Sequence, residues 1–408
     1  MVETYMISPA QLSGRHVDVT VIGAGQAGLA AAHELVVRGF VPGESLVVLD
    51  SNDGPGGAWR HRWDSLTFDK AHGIADLPGL ALGRPDPAVP SRLVVADYYG
   101  RYEEQFGLGV VRPVRADAVR DAGLPDRPRA LRVEASGPEG PVDFTTSVVV
   151  SATGTWTHPF VPHVPGIETF TGRQLRTVDY TRPEDFADQR VLVVGGGLSA
   201  VQFLLPIARF AASTTWATRR PPNFTASPFV ASEWGVAVER AVRERTTVGR
   251  APASVVRTTG IPLWREYLEG VDAGVLVSRG MVRSFGPRAA RFVPEASFAG
   301  GAEGLGPSAS DRLVVPASWQ PFDAVTDVEV DTVLWATGFR AALKHLAPLR
   351  LREPGGGVLM RDEVRVARDD RILLVGYGSS ASTTGATRAG RRAGRAAAAQ
   401  LGVRRAAA

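Results

Sequence analysis

The chain has 408 residues, 44% of them hydrophobic and 22% charged, with 46 basic against 42 acidic side chains, 45 Gly, 29 Pro and no Cys. Such a length and composition belong to a globular protein of two domains, or of one domain with a large insertion, and exclude disordered and fibrous classes. The lack of cysteine excludes a disulfide framework, thiolate zinc sites, cysteine-ligated iron–sulfur clusters, thiol nucleophiles and a redox-active cysteine pair.

Met1–Asp18 carries acids, Pro and Gly without an apolar core, which does not read as a signal peptide, and no run of 18 apolar residues follows. A soluble cytoplasmic protein is expected. Val17–Ile22 alternates and is β-branched, turns through Gly23-Ala-Gly25-Gln-Ala-Gly28, and continues into the Ala-rich, helical Leu29–Val37; a second apolar strand, Ser45–Leu49, ends on Asp50. In such a turn the first Gly permits the bend, the second lets backbone approach a pyrophosphate, and the third lets helix pack on strand. Asp50 stands twenty-two positions after Gly28, where an acid accepts hydrogen bonds from the adenosine ribose. Strand, turn, helix and acid together point to a dinucleotide.

The loop beyond Asp50 reads Gly56-Gly57-Ala58-Trp59-Arg60-His61-Arg62-Trp63-Asp64-Ser65-Leu66, poor core sequence at the edge of a sheet where ligands bind. With the glycine turn before it, this loop resembles the class B flavoprotein monooxygenases: flavin-containing and Baeyer–Villiger monooxygenases, N-hydroxylases and indole-pyruvate monooxygenases. The resemblance implies FAD on the first unit, touched by Gly23, Gly25, Gly28, Asp50, Gly57, Trp59 and Arg60. It also implies a flavin-facing polar residue in Leu66–Gly73, where Asp69, Lys70 and His72 are the choices.

Farther along, Val148–Thr155 and Thr332–Phe339 each read as a buried strand ending in Ala-Thr-Gly, and Thr153, Gly154 and Gly338 are expected to bring backbone to the flavin and the interdomain hinge. Phe170, Gly172 and Tyr180 fit the monooxygenase linker pattern, but Arg176 stands in its histidine place, as a bridge to cofactor phosphate or a cap on the linker. A second unit follows: strand Val191–Val194, turn Gly195-Gly-Gly197-Leu-Ser199-Ala200, helix Val201–Ala212, and strand Thr214–Thr218 ending on Arg219-Arg220. Two guanidinium groups where an NAD site carries an acid favour the 2′-phosphate of NADPH.

The stretch 221–310 is read as an extra substrate-side region with helices at Glu233–Arg245 and Pro262–Leu268 and a loop at Ala299–Ser310. Gly376 precedes a terminal helix resembling the one whose N-terminus faces the flavin, and the Arg388–Arg405 run reads as its solvated face. There is no P-loop, nucleophile elbow or H-E-x-x-H, and His158 and His163 read as structural, so no metal and no nucleic-acid module is expected.

The fold expected is α/β with two dinucleotide-binding, Rossmann-like domains, the NADP domain at 161–335 inserted into an FAD domain at 1–160 and 336–408. The function implied is an FAD-dependent, NADPH-consuming monooxygenase that transfers one oxygen atom from O2 to a small organic substrate through an oxygen adduct of the flavin. A flavin reductase or oxidase without oxygen transfer, and a non-catalytic nucleotide-binding protein, stay open.

Overall fold

A computed structural model describes residues 7–71, 73–225, 242–252, 260–294, 313–377 and 383–403. His72, most of the expected helix Glu233–Arg245 and the loop Ala299–Ser310 lie outside the described residues. Two sheets, one mixed and one parallel, organise the rest. The first runs β3 (Val110–Val111), β2 (Leu46–Leu49), β1 (His16–Ile22), β6 (Gly140–Ser151), β5 (Leu131–Gly137) and β4 (Arg115–Asp121), and β16 (Ile372–Leu374) also pairs with β6. The second has the order β7 (Arg173–Arg176), β15 (Thr332–Trp335), β8 (Arg190–Val194) and β9 (Ser213–Ala217), all parallel. The strand before the second Ala-Thr-Gly therefore lies in the second sheet, and only β16 returns to the first.

Helix α1 spans Gln26–Val36, three residues earlier than its expected start, so its first N–H groups belong to the glycine turn itself. Helix α3 spans Leu198–Ile207, again directly after its turn, and stops one residue past Pro206, which cannot donate to the ladder. Between the units, α2 (Ser91–Gln105) buries Tyr98, Tyr99 and Tyr102 beneath the first sheet.

Within 221–310 the helix expected at Pro262–Leu268 is displaced. Pro262 belongs to a two-residue strand paired with Phe224–Thr225, so the following helix, α4, starts later, at Arg265, and runs to Asp272. Its Tyr267 and Val271 pack with Phe203 and Leu204 of α3. Strands β12 (Val282–Phe285), β13 (Ala289–Phe292) and β14 (Thr326–Glu329) form an antiparallel layer whose Val282, Phe285, Ala290 and Phe292 bury against Leu192, Val333 and Trp335. Period-two alternation puts Ala290 and Phe292 on one face, a register shift between Val282 and Ser284 brings Val282 and Phe285 to the same side, and the second sheet is what they cover.

The terminal helix α5 (Thr383–Gln400) carries its arginines on the outer face and packs its small residues inward. Its Ala389, Ala393, Ala396 and Ala397 are buried, and a Cβ on Gly390 would stand 2.2 Å from the Ala27 carbonyl oxygen of α1. The arginines, each partly exposed, are tied down by two buried acids: Arg391 and Arg395 pair with Glu34, Arg388 and Arg392 with Glu363. Burial works against the Glu34 carboxylate, yet Arg395, Arg38 and Arg391 hold its pKa below the usual value. Small residues let the helices approach, and the guanidinium groups neutralise the acids that close packing would strand.

Candidate active site

A cavity of about 1760 Å³ runs between the two sheets at their carboxyl ends. It exceeds the roughly 300–1,000 Å³ of a site for one drug-sized ligand. Its wall includes Gly23, Gly25 and Asp50 from the first turn and Gly195, Gly197, Ser199, Arg219 and Arg220 from the second. Eight cationic side chains line it against two carboxylates, a balance suited to polyanions.

The two turns are built alike. A Cβ on Gly23 would stand 2.6 Å from the Ala152 carbonyl oxygen, and one on Gly195 2.1 Å from that of Ala336. Each Ala-Thr-Gly thus supplies the backbone against which a first glycine turns, and Ala152 and Ala336 donate in register to Ile22 and Val194 at 2.8 Å. Gly25, by contrast, has nothing within 4 Å of where its Cβ would be. Asp50, 4% exposed, accepts from the backbone N–H of Ala24 and of Asn52, both at 2.7 Å, which holds the turn and the next loop in place.

The chain crosses between the sheets twice, side by side. Phe160 donates to the Gly338 carbonyl at 2.8 Å and Arg340 to that of His158 at 2.9 Å. Thr153 donates to the Ala342 carbonyl at 2.8 Å, and Thr337 donates to that of Phe160. Segment 242–252 reaches back to the first unit, where Met360 donates to the Thr246 carbonyl at 3.1 Å, and contributes Val242, Arg245, Ala251 and Pro252 to the cavity wall.

Residues 20–245, more than half of the chain, match the pyridine nucleotide-disulphide oxidoreductase family. A flavin monooxygenase from Stenotrophomonas maltophilia, solved as a double-substitution variant, is 32% identical, with a TM-score of 0.73 over 95% of this chain and 99% of that one. The chain belongs to the class B flavoprotein monooxygenases. An indole-3-pyruvate monooxygenase of Oryza sativa subsp. japonica, YUCCA1, is 34% identical over 49% of this chain and 47% of its own length. The chain spans about half the length of the curated relatives it matches. A bacillithiol disulfide reductase from Bacillus cereus, at 17% identity and a TM-score of 0.60, shares the fold alone. A chain without cysteine has no disulfide of its own to reduce.

Within this chain several anticipated side chains stand elsewhere. Arg60 does not line the cavity; its Nη1 donates to the Pro55 carbonyl at 3.0 Å and braces its own loop, while His61 and Arg62 face the cavity instead. Gly57 and Trp59 do line it, and a Cβ on Gly57 would lie 2.8 Å from Cα of Gly25, so this loop rests on the glycine turn. Asp69 is exposed and accepts from Thr67, and Lys70 pairs with Glu266 of α4 at 3.6 Å; neither reaches the cavity. Arg176 binds both carboxylate oxygens of Asp179 at 2.8 and 2.9 Å, which makes it the cap on its linker, and the adjacent Thr177 lines the cavity in its place. Gly28 and Ala200 are packing positions outside the cavity lining: a Cβ on Gly28 would meet the Gly23 carbonyl oxygen at 1.8 Å, and Ala200 is fully buried. Thr153, Gly154, Gly338 and Gly376 all line the cavity.

Two further lining residues that escaped the sequence are His345 and Arg62. His345, 5% exposed, shares a hydrogen bond of 3.1 Å with Ser151 Oγ at the end of β6, and burial pulls its pKa down to about 4, so it is neutral at the pH where most enzymes work. Arg62 is the other. Its only sequence signal is a basic residue framed by Trp59 and Trp63. No described helix is long and apolar enough to cross a membrane.

Proposed function

We propose that this protein is an NADPH-consuming, FAD-dependent monooxygenase that transfers one atom of O2 to a small organic substrate. The observation that carries this reading is the single cavity onto which both glycine turns open. One dinucleotide on each turn would share this chamber, which would bring hydride donor and acceptor to one site. FAD belongs on the first sheet, in residues 1–160 and 336–408, and the nicotinamide dinucleotide on the second, in 161–335.

The residues fit those groups. The open side of Gly25 and the first N–H groups of α1 offer a cradle for a pyrophosphate, and each Asp50 oxygen, engaged by one backbone N–H, keeps capacity to accept from a ribose hydroxyl. Gly197 and Ser199 at the start of α3 offer the second cradle. Arg219 and Arg220 leave the end of β9 on the cavity side and suit a 2′-phosphate. When bound, a flavin would supply the redox chemistry, hydride acceptance and O2 activation. The chain's own contribution is to orient both rings and keep water from the reduced one; the antiparallel crossovers and segment 242–252 cover the chamber for that purpose.

The test is turnover under isotopically labelled O2 with amine, sulfide and carbonyl substrates. The expected result is substrate-stimulated NADPH oxidation with one labelled oxygen in the product. Stoichiometric peroxide with every substrate class would replace this reading with a flavin oxidase. Substituting Met at both Arg219 and Arg220 removes charge-assisted contacts worth about 1.5–3 kcal/mol each, so the ratio of kcat/KM for NADPH over NADH should fall at least about tenfold. An unchanged ratio would remove these two arginines from the assignment.

A further inference from the structure

Arg62 follows the short 3-10 turn Gly57–His61 and enters a cage of indoles. Its guanidinium carbon lies 4.3 Å from the ring centre of Trp156, 5.6 Å from that of Trp63 and 5.7 Å from that of Trp59. Aromatic faces attract a cation but offer no lone pair to its five N–H donors. Its Nε is buried with no hydrogen-bond partner, and no acidic group among the described residues faces it. The contrast with its neighbours is sharp: Arg60 bonds the Pro55 carbonyl, Arg176 grips Asp179, and Arg112 grips Glu103. Burial pulls the Arg62 pKa down to about 10, which leaves the group charged throughout the neutral range. A half-buried cation without a counter-charge is costly unless a ligand supplies one. Trp59, His61, Arg62 and Trp156 all line the cavity, and Trp156 stacks on Phe339 of the returning crossover with ring centres 5.2 Å apart.

We propose that Arg62 is an anion-receiving residue of this cavity, its guanidinium fork taking the paired oxygens of a carboxylate or phosphate on a molecule bound there, with Trp59 and Trp156 as aromatic walls beside it. This rests on the reading of the cavity as the place where dinucleotides and substrate meet. Two molecules can bring such an oxyanion: the nicotinamide dinucleotide, through a phosphate, and an organic acid substrate with an apolar body, through its carboxylate. Arg is suited to both because its planar donors match two oxygens at once.

Binding measured without turnover tests the proposal separately from the monooxygenase reading. The purified protein and its Arg62→Met variant are titrated with NADP+, with phenylacetate and with phenylacetamide, which resembles phenylacetate in shape and lacks its charge. If the substrate brings the anion, the variant loses at least tenfold in phenylacetate affinity while phenylacetamide and NADP+ are held as before. If the nucleotide brings it, NADP+ affinity falls at least tenfold and phenylacetate is indifferent to the change. Constants within twofold of the parent for NADP+ and phenylacetate, in a variant with the parent's thermal midpoint, would overturn the proposal and leave Arg62 as packing for the indoles. Should Arg62→Met fail to fold, Arg62→Lys carries the test, since it keeps a cation in the cage and loses the fork: a severalfold weakening of either anion supports the proposal, and unchanged affinity for both overturns it.

Discussion

Gly25→Trp is expected to yield a folded protein without flavin. Gly25 caps α1 with φ −85° and ψ −171°, ordinary extended backbone that an L-residue adopts without strain, and the space around its missing side chain is open. That space belongs to the cavity, on the side where a pyrophosphate must meet the helix N-terminus. A side chain there leaves the backbone through open space and would occupy the place of the cofactor. The visible flavin spectrum of the purified variant should disappear while its circular dichroism and cooperative melting persist. A yellow, fully loaded variant would show that the pyrophosphate does not approach Gly25. The neighbouring Gly28 gives the opposite case: its Cβ would drive into the Gly23 carbonyl at 1.8 Å, so substitution there strikes the fold before the cofactor.

The second large effect is on stability. Arg112, beside β3, and Glu103, in the last turn of α2, form two hydrogen bonds at 2.5 and 2.7 Å with only 11% and 12% of their side chains exposed. Burial outweighs the pull of Arg112 and leaves the Glu103 pKa above the usual glutamate value. Arg112→Met strips the acid of its partner and should cost about 3–5 kcal/mol, because a charge is left buried and unpaired. The sign with pH follows from linkage. A carboxyl whose folded pKa exceeds its unfolded one destabilises the fold progressively as pH rises through the folded value, so the deficit should be larger at pH 8 than at pH 5. Denaturant unfolding at both pH values measures it, and the double variant with Glu103→Gln should recover part of the loss. A deficit equal at both pH values would mean that water reaches Glu103 once Arg112 is gone.

Some of this was readable because it is local in the chain. Alternation in Val17–Ile22, the three glycines and Asp50 lie within one strand–turn–helix–strand unit, where neighbours in sequence are neighbours in space. The same held for 190–220. The repeated Ala-Thr-Gly was legible as the end of a buried strand, although its part in seating Gly23 and Gly195 was not, since each carbonyl meets a turn more than 120 residues away. Within 56–63 Arg60 was expected to touch the cofactor, ahead of His61 and Arg62. The 3-10 turn, with its three residues per turn, folds Arg60 back onto Pro55 and delivers Arg62 among the indoles. Asp69 and Lys70 stand off the cavity, where Glu266 of α4, from the second unit, pairs with Lys70.

By itself, then, the sequence determined the class of the protein: two glycine turns after β-strands, an acid after one and an arginine pair after the other, and no thiol anywhere. These depend on φ, on side-chain size at close backbone approach and on composition, all of which are written residue by residue. Only the tertiary structure decided which polar groups face the chamber. Arg62, Thr177 and His345 reach it because two antiparallel crossovers bring the sheets edge to edge, and their partners Trp156, Trp335 and Ser151 come from distant parts of the chain. Burial and counter-charge are properties of that meeting, and no spacing along the sequence encodes them.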